Sequence, residues 1–372
     1  MIAPYLSGPR PSTRFLRTDA ELRAVLPALL ASAKLYLDTE FHTERSYHPK
    51  LMLVQLRGDE GDIFLVDPFS VDPGLLRPVI ETVPVVLHGG QMDVQILRRV
   101  VGVAPKRIFD TQVAAACVGM GWPCRLQELV ARLLQIPLDK AETLSDWSRR
   151  PLSEEQLRYA ADDVWVLPPL ERILRQQLEE RSVIDVAVYL TEEVLSGADD
   201  PGELWRLVPG SANLDEAGRR ALQALARWRD ATARARDLPR NGVLSDALML
   251  DLARRSPKTV EGMQANRRMP SQVWKRDGAA ILELLHRPGS APPPSISRPR
   301  AWVDVARAAG RIVEFKTGIA SDLILNERVL GRLSRNEALE EWRESLLGPD
   351  FFSFLRGESV IRMPAEWVIV KT

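Results

Sequence analysis

The chain has 372 residues, 45% of them hydrophobic and 27% charged, with 50 basic and 50 acidic side chains. This composition excludes a disordered chain, and the length points to two or three domains. A formal net charge of zero means that any sign of a nucleic-acid partner has to come from local clusters rather than from bulk charge. No stretch reaches the roughly 18 uninterrupted apolar residues of a membrane span. The N-terminal "MIAPYLSGPRPSTRFLRTDAELR" lacks the basic region and apolar core of a signal peptide, so a cytoplasmic protein with no membrane partner is expected. Cys117 and Cys124 fit no common zinc or redox spacing and are expected to be buried thiols.

In chain order, "KLYLDTEF", "LMLVQLR" and "DIFLVD" between Lys34 and Asp67 read as three strands in an antiparallel meander. Helix and strand then alternate: "GLLRPVIETV" as helix, "PVVLHG" as strand, "QMDVQILRRVVG" as helix, "RIFD" as strand and "TQVAAACVG" as helix. A meander joined to such an alternation predicts an α/β fold with a mixed sheet and helices on its faces. The remainder, to about Leu195, reads as helical. Residues 196–211 have the Gly and Pro punctuation of a linker, and a helical block follows from Leu214 to about His286. "RPGSAPPPSISRPR" reads as a semi-rigid spacer before a last block from about residue 301 to 372. "LPRNGVLSDALMLDLARR" from Leu238 aligns with "IASDLILNERVLGRLSR" from Ile319, a period of about 81 residues that suggests a duplicated small helical domain.

The chemistry begins in "LYLDTEF". Strand alternation sends Asp38 and Glu40 to one side with Tyr36, while Leu37, Thr39 and Phe41 face the other. Two neighbouring carboxylates repel unless a cation lies between them, and a D-x-E pair on a strand is a plausible chelate for hard divalent ions. Asp93 falls in the first turn of a helix that follows a strand, where α/β sheets commonly build sites, although an acid also suits a helix N-terminus. In "PLSEEQLRYAADDVWVLPPL", Ser153 and Gln156 form a capping box that starts a helix. Tyr159 and Asp163 share one face of it, and Asp163 flanks the apolar stripe Leu157, Ala161, Val164 and Leu167. Asp162 points further away and is expected to be solvated. Four acids and a tyrosine suit hydrolysis of a phosphodiester with two divalent ions.

These residues resemble the DEDD exonucleases of the RNase H-like fold, in the branch whose third motif is Y-x3-D. "LDTEF" looks like the first motif, His88 to Asp93 the second, and "YAADD" from Tyr159 the third. "ALARWRDATARARDLPRNGVLSDALMLDLARRSPKT" is similar to the HRDC domain, and nearly the whole chain resembles the ribonuclease D family. The resemblance implies an RNase H-like exonuclease domain over residues 1–200, an HRDC domain over 211–290, a Pro-rich linker over 291–300 and a second HRDC-like domain over 301–372. It further implies that Asp38, Glu40, Asp93 and Asp163 bind two divalent metal ions, Mg²⁺ or Mn²⁺, with Asp38 bridging both. Tyr159 would orient the attacking water, and RNA would be hydrolysed from its 3′ end to nucleoside 5′-monophosphates. By the same resemblance the substrates are tRNA precursors and other structured RNAs with 3′ extensions; a monomer is expected, though the sequence leaves the oligomeric state open. The motifs leave DNA open as an alternative substrate, and the rival from another class is a non-catalytic nucleic-acid-binding protein.

Outside the acids, Asp110 sits where a helix N-cap belongs. His88 and Gln55 are candidate substrate contacts, each with a structural role as the competing explanation. Between Leu214 and Ser290 there are 15 Lys and Arg against 9 Asp and Glu. Arg227, Arg229, Arg234, Arg236 and Arg240 concentrate that excess and are candidates for a phosphate-binding face.

Overall fold

The computed structural model describes residues 10–43, 46–138, 142, 145–196, 203–266, 269–286 and 300–358. Six strands form one mixed sheet in the order β1-β4-β3-β2-β5-β6. They are β1 (Thr13–Leu16), β2 (Leu35–His42), β3 (Lys50–Arg57), β4 (Ile63–Val66), β5 (Val85–Leu87) and β6 (Ile108–Asp110). Strands β2, β3 and β4 are the antiparallel meander expected from the sequence, whereas β1 joins β4, β5 joins β2 and β6 joins β5, all in parallel.

The helices of this region are α1 (Asp19–Ala31), α2 (Arg77–Thr82), α3 (Gln91–Val100), α4 (Thr111–Cys117), α5 (Leu126–Leu133), α6 (Glu154–Trp165), α7 (Leu167–Glu180) and α8 (Ile184–Ser196). The sheet carries apolar side chains on both faces. Leu35 and Leu37 of β2 pack with Leu22 and Leu29 of α1, Val79 of α2 and Val94 and Leu97 of α3. Tyr36 faces the other way, into a cluster with Leu53, Leu65 and Ala160, Ala161 and Val164 of α6. No element is expected from the sequence over residues 13–31, where β1 and α1 lie. The signal was local: Thr18 and Glu21 form a reciprocal capping box that starts α1.

The chain divides into two compact units, residues 1–114 with 124–294, and residues 115–123 with 295–372. The first contains the sheet and the helices α9 (Glu216–Arg236), α10 (Arg240–Val243), α11 (Asp246–Arg255), α12 (Val260–Gln264) and α13 (Ser271–His286). Part of the stretch expected to be linker belongs to the core of this helical block. Leu204, Trp205 and Val208 pack with Leu222 and Leu225 of α9 and Met249 of α11. A short 3-10 turn over Leu204–Leu207 is what buries that indole. The spacer expected over residues 291–300 lies almost wholly outside the described residues.

The second unit contains α14 (Arg300–Thr317), α15 (Ser321–Ile324), α16 (Glu327–Ser334) and α17 (Glu341–Leu355). Within it, the Ala320 N–H donates to the Ala116 carbonyl at 2.9 Å. The expected repeat has a structural counterpart. α15 and α16 begin 81 residues after α10 and α11, and α14 ends 81 residues after α9. Ser245 and Asn326 occupy the same N-cap position in the two copies. Among the described residues no helix is long and apolar enough to cross a membrane.

Candidate active site

Strand β2 sets the first two acids. In its antiparallel register Asp38 lies opposite Gln55 and Glu40 opposite Leu53, and the pairing shifts between Glu40 and Phe41. That bulge ends the regular ladder just beyond the acids, a common device for re-aiming side chains at a site. Helix α6 supplies the third. Ser153 caps it by accepting the Gln156 N–H, and the Gln156 side chain returns to the Ser153 N–H. Its Ala160, Ala161 and Val164 press on the sheet, so Asp163 on the same side is buried. The result is a cluster: Asp38, Glu40 and Asp163 offer carboxylate oxygens all within 4.8 Å of one another.

Asp93 arrives from α3 and is fixed from the far side of β2. The Thr39 hydroxyl, 54 residues away in sequence, donates to Asp93 Oδ1. Alternation had put Thr39 on the face opposite Asp38, and that orientation lets it meet α3. The turn that launches α3 depends on Asp110. Its carboxylate accepts the Gly89 N–H at 2.9 Å and the Gly90 N–H at 3.1 Å, and those of Gln112 at 2.8 Å and Val113 at 3.4 Å. Asp110 therefore caps α4 and ties it to the start of α3. Gly89 has φ +64°, a conformation that L side chains rarely adopt.

The electrostatics of the cluster are strained. Burial, followed by the charges of Asp163, Asp93 and Glu40, pushes the Asp38 carboxyl well above the usual carboxylate range. Burial, then Asp163 and Asp93, raises Glu40 to about 9. Burial alone raises Asp163 to about 7. Asp93 is raised to about 6, burial outweighing the Thr39 hydrogen bond that favours its charged form. The charged neighbours that raise Asp38 are all carboxylates, so repulsion adds to desolvation. Oxygen-only donors at this spacing fit a hard divalent cation, which would reverse both penalties.

Tyr159 lies one turn before Asp163 on α6, and its ring packs against Trp147 with centroids 6.0 Å apart. Trp147 is buried and carries no motif in the sequence that marks it. Asp162, expected to be solvated, instead pairs with Arg10, whose guanidinium also lies over the Trp165 ring, and is mostly buried. His88 is held at both ring nitrogens: Nε2 lies 3.0 Å from the Cys124 carbonyl and Nδ1 2.9 Å from the Thr111 hydroxyl. Burial lowers its pKa, which keeps the ring neutral as a brace between β5 and α4. Gln55 is fully buried beneath the cluster rather than exposed at its mouth. Cys117 and Cys124 are free and buried, as expected.

Four of the five candidate arginines have acidic partners inside the helical block. Arg229 pairs with Asp246 at 2.6 Å and Arg236 with Asp277 at 2.7 Å. Arg234 and Arg240 pair with the buried Asp230 at 3.2 and 2.8 Å. Asp230 also accepts from the Tyr47 hydroxyl at 2.8 Å, on the connection between β2 and β3. Arg227 is exposed.

Comparison with known proteins gives the class first. Residues 13–179 match a family model described as 3′-5′ exonuclease, and residues 219–285 match the HRDC domain. With the mixed sheet and its acidic cluster, this defines a 3′-5′ exonuclease domain followed by an HRDC domain. The chain is 32% identical over 363 residues to ribonuclease D of Pseudomonas paraeruginosa, covering 91% of this chain and 96% of that protein. It is 35% identical over 272 residues to ribonuclease D of Xanthomonas oryzae pv. oryzae, covering 69% and 74%. Its fold matches the crystal structure of Escherichia coli RNase D, an exoribonuclease involved in structured RNA processing, with TM-score 0.79 and 25% identity over 93% of this chain and 99% of that one. The chain belongs to the ribonuclease D family, as a hydrolytic 3′-5′ exoribonuclease.

Proposed function

We propose that Asp38, Glu40, Asp93 and Asp163 hold two divalent cations, Mg²⁺ or Mn²⁺, and that the protein removes nucleoside 5′-monophosphates from the 3′ ends of tRNA precursors and other structured RNAs. The observation that carries this reading is the group of three carboxylates within 4.8 Å on a shared sheet-and-helix face. When bound, such ions supply a nucleophilic water at neutral pH and neutralise charge on the leaving oxygen. The chain's own part is to hold its donors still. Asp38 and Glu40 are fixed by strand pairing, Asp163 by the packed face of α6, and Asp93 by Thr39. Tyr159, steadied by Trp147, orients the attacking water through its hydroxyl without adding charge to the site.

RNA as substrate is supported by the exoribonuclease relatives, and structured RNA by the description of the E. coli protein. The helical repeat supports a second HRDC-like domain over residues 301–372 beside the matched one. The test is a matched pair of oligomers, a hairpin RNA with a 3′ extension and its DNA equivalent, with the products identified by chromatography. Release of 5′-monophosphates from the RNA at a rate well above the DNA is the expected result. Equal rates would reject the RNA preference, and 3′-monophosphates would reject the chemistry.

A further inference from the structure

Gln55 is completely buried, and neither Oε1 nor Nε2 of its amide has a hydrogen-bond partner among the described residues. Buried amides are rarely left so, because the lost solvation is not regained. Its surroundings narrow what it can serve. On the sheet face beneath α6, Gln55 is paired with Leu65 on β4 and with Asp38 on β2. Its same-face neighbours along β3 are Leu53 and Arg57. The Arg57 guanidinium donates through Nη1 to the Trp165 carbonyl at 3.2 Å, and its Nε is also buried without a partner. Two of these four neighbours are apolar and one is a donor. Asp38 is the single acceptor side chain of the four, and directly opposed residues in an antiparallel pair lie about 4.5–5.5 Å apart at Cβ, within reach of an amide.

We propose that Gln55 is a positioning residue for the metal site. With cations held by the cluster, Gln55 Nε2 donates to the Asp38 carboxylate and fixes its orientation, while Oε1 is left to accept the Arg57 Nε–H. The inference rests on the reading of the acids as metal ligands. Carboxylates that bind metal are commonly held by such hydrogen bonds behind them, and losing one typically costs about 10- to 100-fold in metal affinity. Burial excludes the alternative of direct RNA contact, and no described residue hydrogen-bonds to the amide.

The experiment is a Mn²⁺ titration of the full chain, following free Mn²⁺ by electron paramagnetic resonance, with thermal melts in chelator run in parallel. Wild type, Asp38→Ala, Gln55→Met and Gln55→Leu are compared. The Gln55 variants are expected to melt in chelator at or above the wild-type temperature, because an unpartnered amide has been replaced by an apolar chain. Both are expected to bind Mn²⁺ at least tenfold more weakly. Binding within twofold of wild type in either folded variant overturns the inference and leaves the site reading intact. A fall in melting temperature with normal Mn²⁺ binding by the folded fraction assigns Gln55 to structure alone, and equally overturns it. Failure of wild type to bind Mn²⁺, or wild-type binding by Asp38→Ala, overturns the site reading and this inference together.

Discussion

At the scale of single residues, the cluster is built against its own electrostatics. Carboxyls whose folded pKa is raised bind protons that the unfolded chain releases near pH 4. The metal-free protein is therefore stabilised by those protons at low pH and loses that contribution as pH rises through about 6 for Asp93, 7 for Asp163 and 9 for Glu40. Melting temperature in chelator is expected to fall between pH 5 and pH 9, by about 1–2 °C for each kcal/mol lost in a chain of this size. A divalent cation at pH 8 should restore it. A melting temperature that climbs steadily over that range would contradict the assignment. Thr39 gives a second prediction. Thr39→Val keeps the shape and removes the hydroxyl that holds Asp93, so activity per folded molecule is expected to drop about 10- to 100-fold with little change in melting temperature.

At the scale of elements, the site stands on the fit between α6 and the sheet. Ala160 and Ala161 are small and fully buried against Leu53 and Leu65. Ala161→Leu would force the helix away from the strands at a cost of about 1–3 kcal/mol. Because Asp163 rides on the same helix, the loss of activity measured on folded protein at low temperature should exceed what the melt accounts for. An unchanged rate would show that the cluster tolerates a displaced α6. This scale is also where the sequence was most legible. The meander, the capping box at Ser153 and the placement of Asp38, Glu40 and Asp163 on facing surfaces are patterns within a few residues. β1 was illegible because four residues, Thr13–Leu16, carry no alternation to read. The link from Thr39 to Asp93 joins two elements, so no window of sequence contains it. Trp205 was readable in principle, since a tryptophan amid linker-like Gly and Pro is a core residue more often than a solvated one.

At the scale of the whole molecule, four of the five candidate arginines spend their charge on acidic partners within the helical block. Counting 15 cations against 9 acids says nothing about pairing, and Arg229 and Arg236 meet acids 17 and 41 residues away in the fold. Arg236→Ala is accordingly expected to cost stability, on the order of 1 kcal/mol for a partly exposed pair. Its effect on RNA affinity should be under twofold, with the salt dependence of binding unchanged. A shallower salt slope, by about one ion, would place Arg236 on phosphate instead. The Asp230 cluster with Tyr47, Arg234 and Arg240 likewise serves cohesion, joining α9 to the connection that follows β2.

The β2 and α6 carboxylates are proposed to work through divalent metal on an RNA 3′ end. A labelled hairpin RNA with a 3′ extension, incubated with wild type and with Asp38→Ala in Mg²⁺, in Mn²⁺ and in chelator, tests that proposal most directly. A ladder shortening stepwise from the 3′ end is expected in wild type with metal, absent in chelator and absent in Asp38→Ala. Shortening that persists in chelator, or an Asp38→Ala rate equal to wild type, would contradict the proposal.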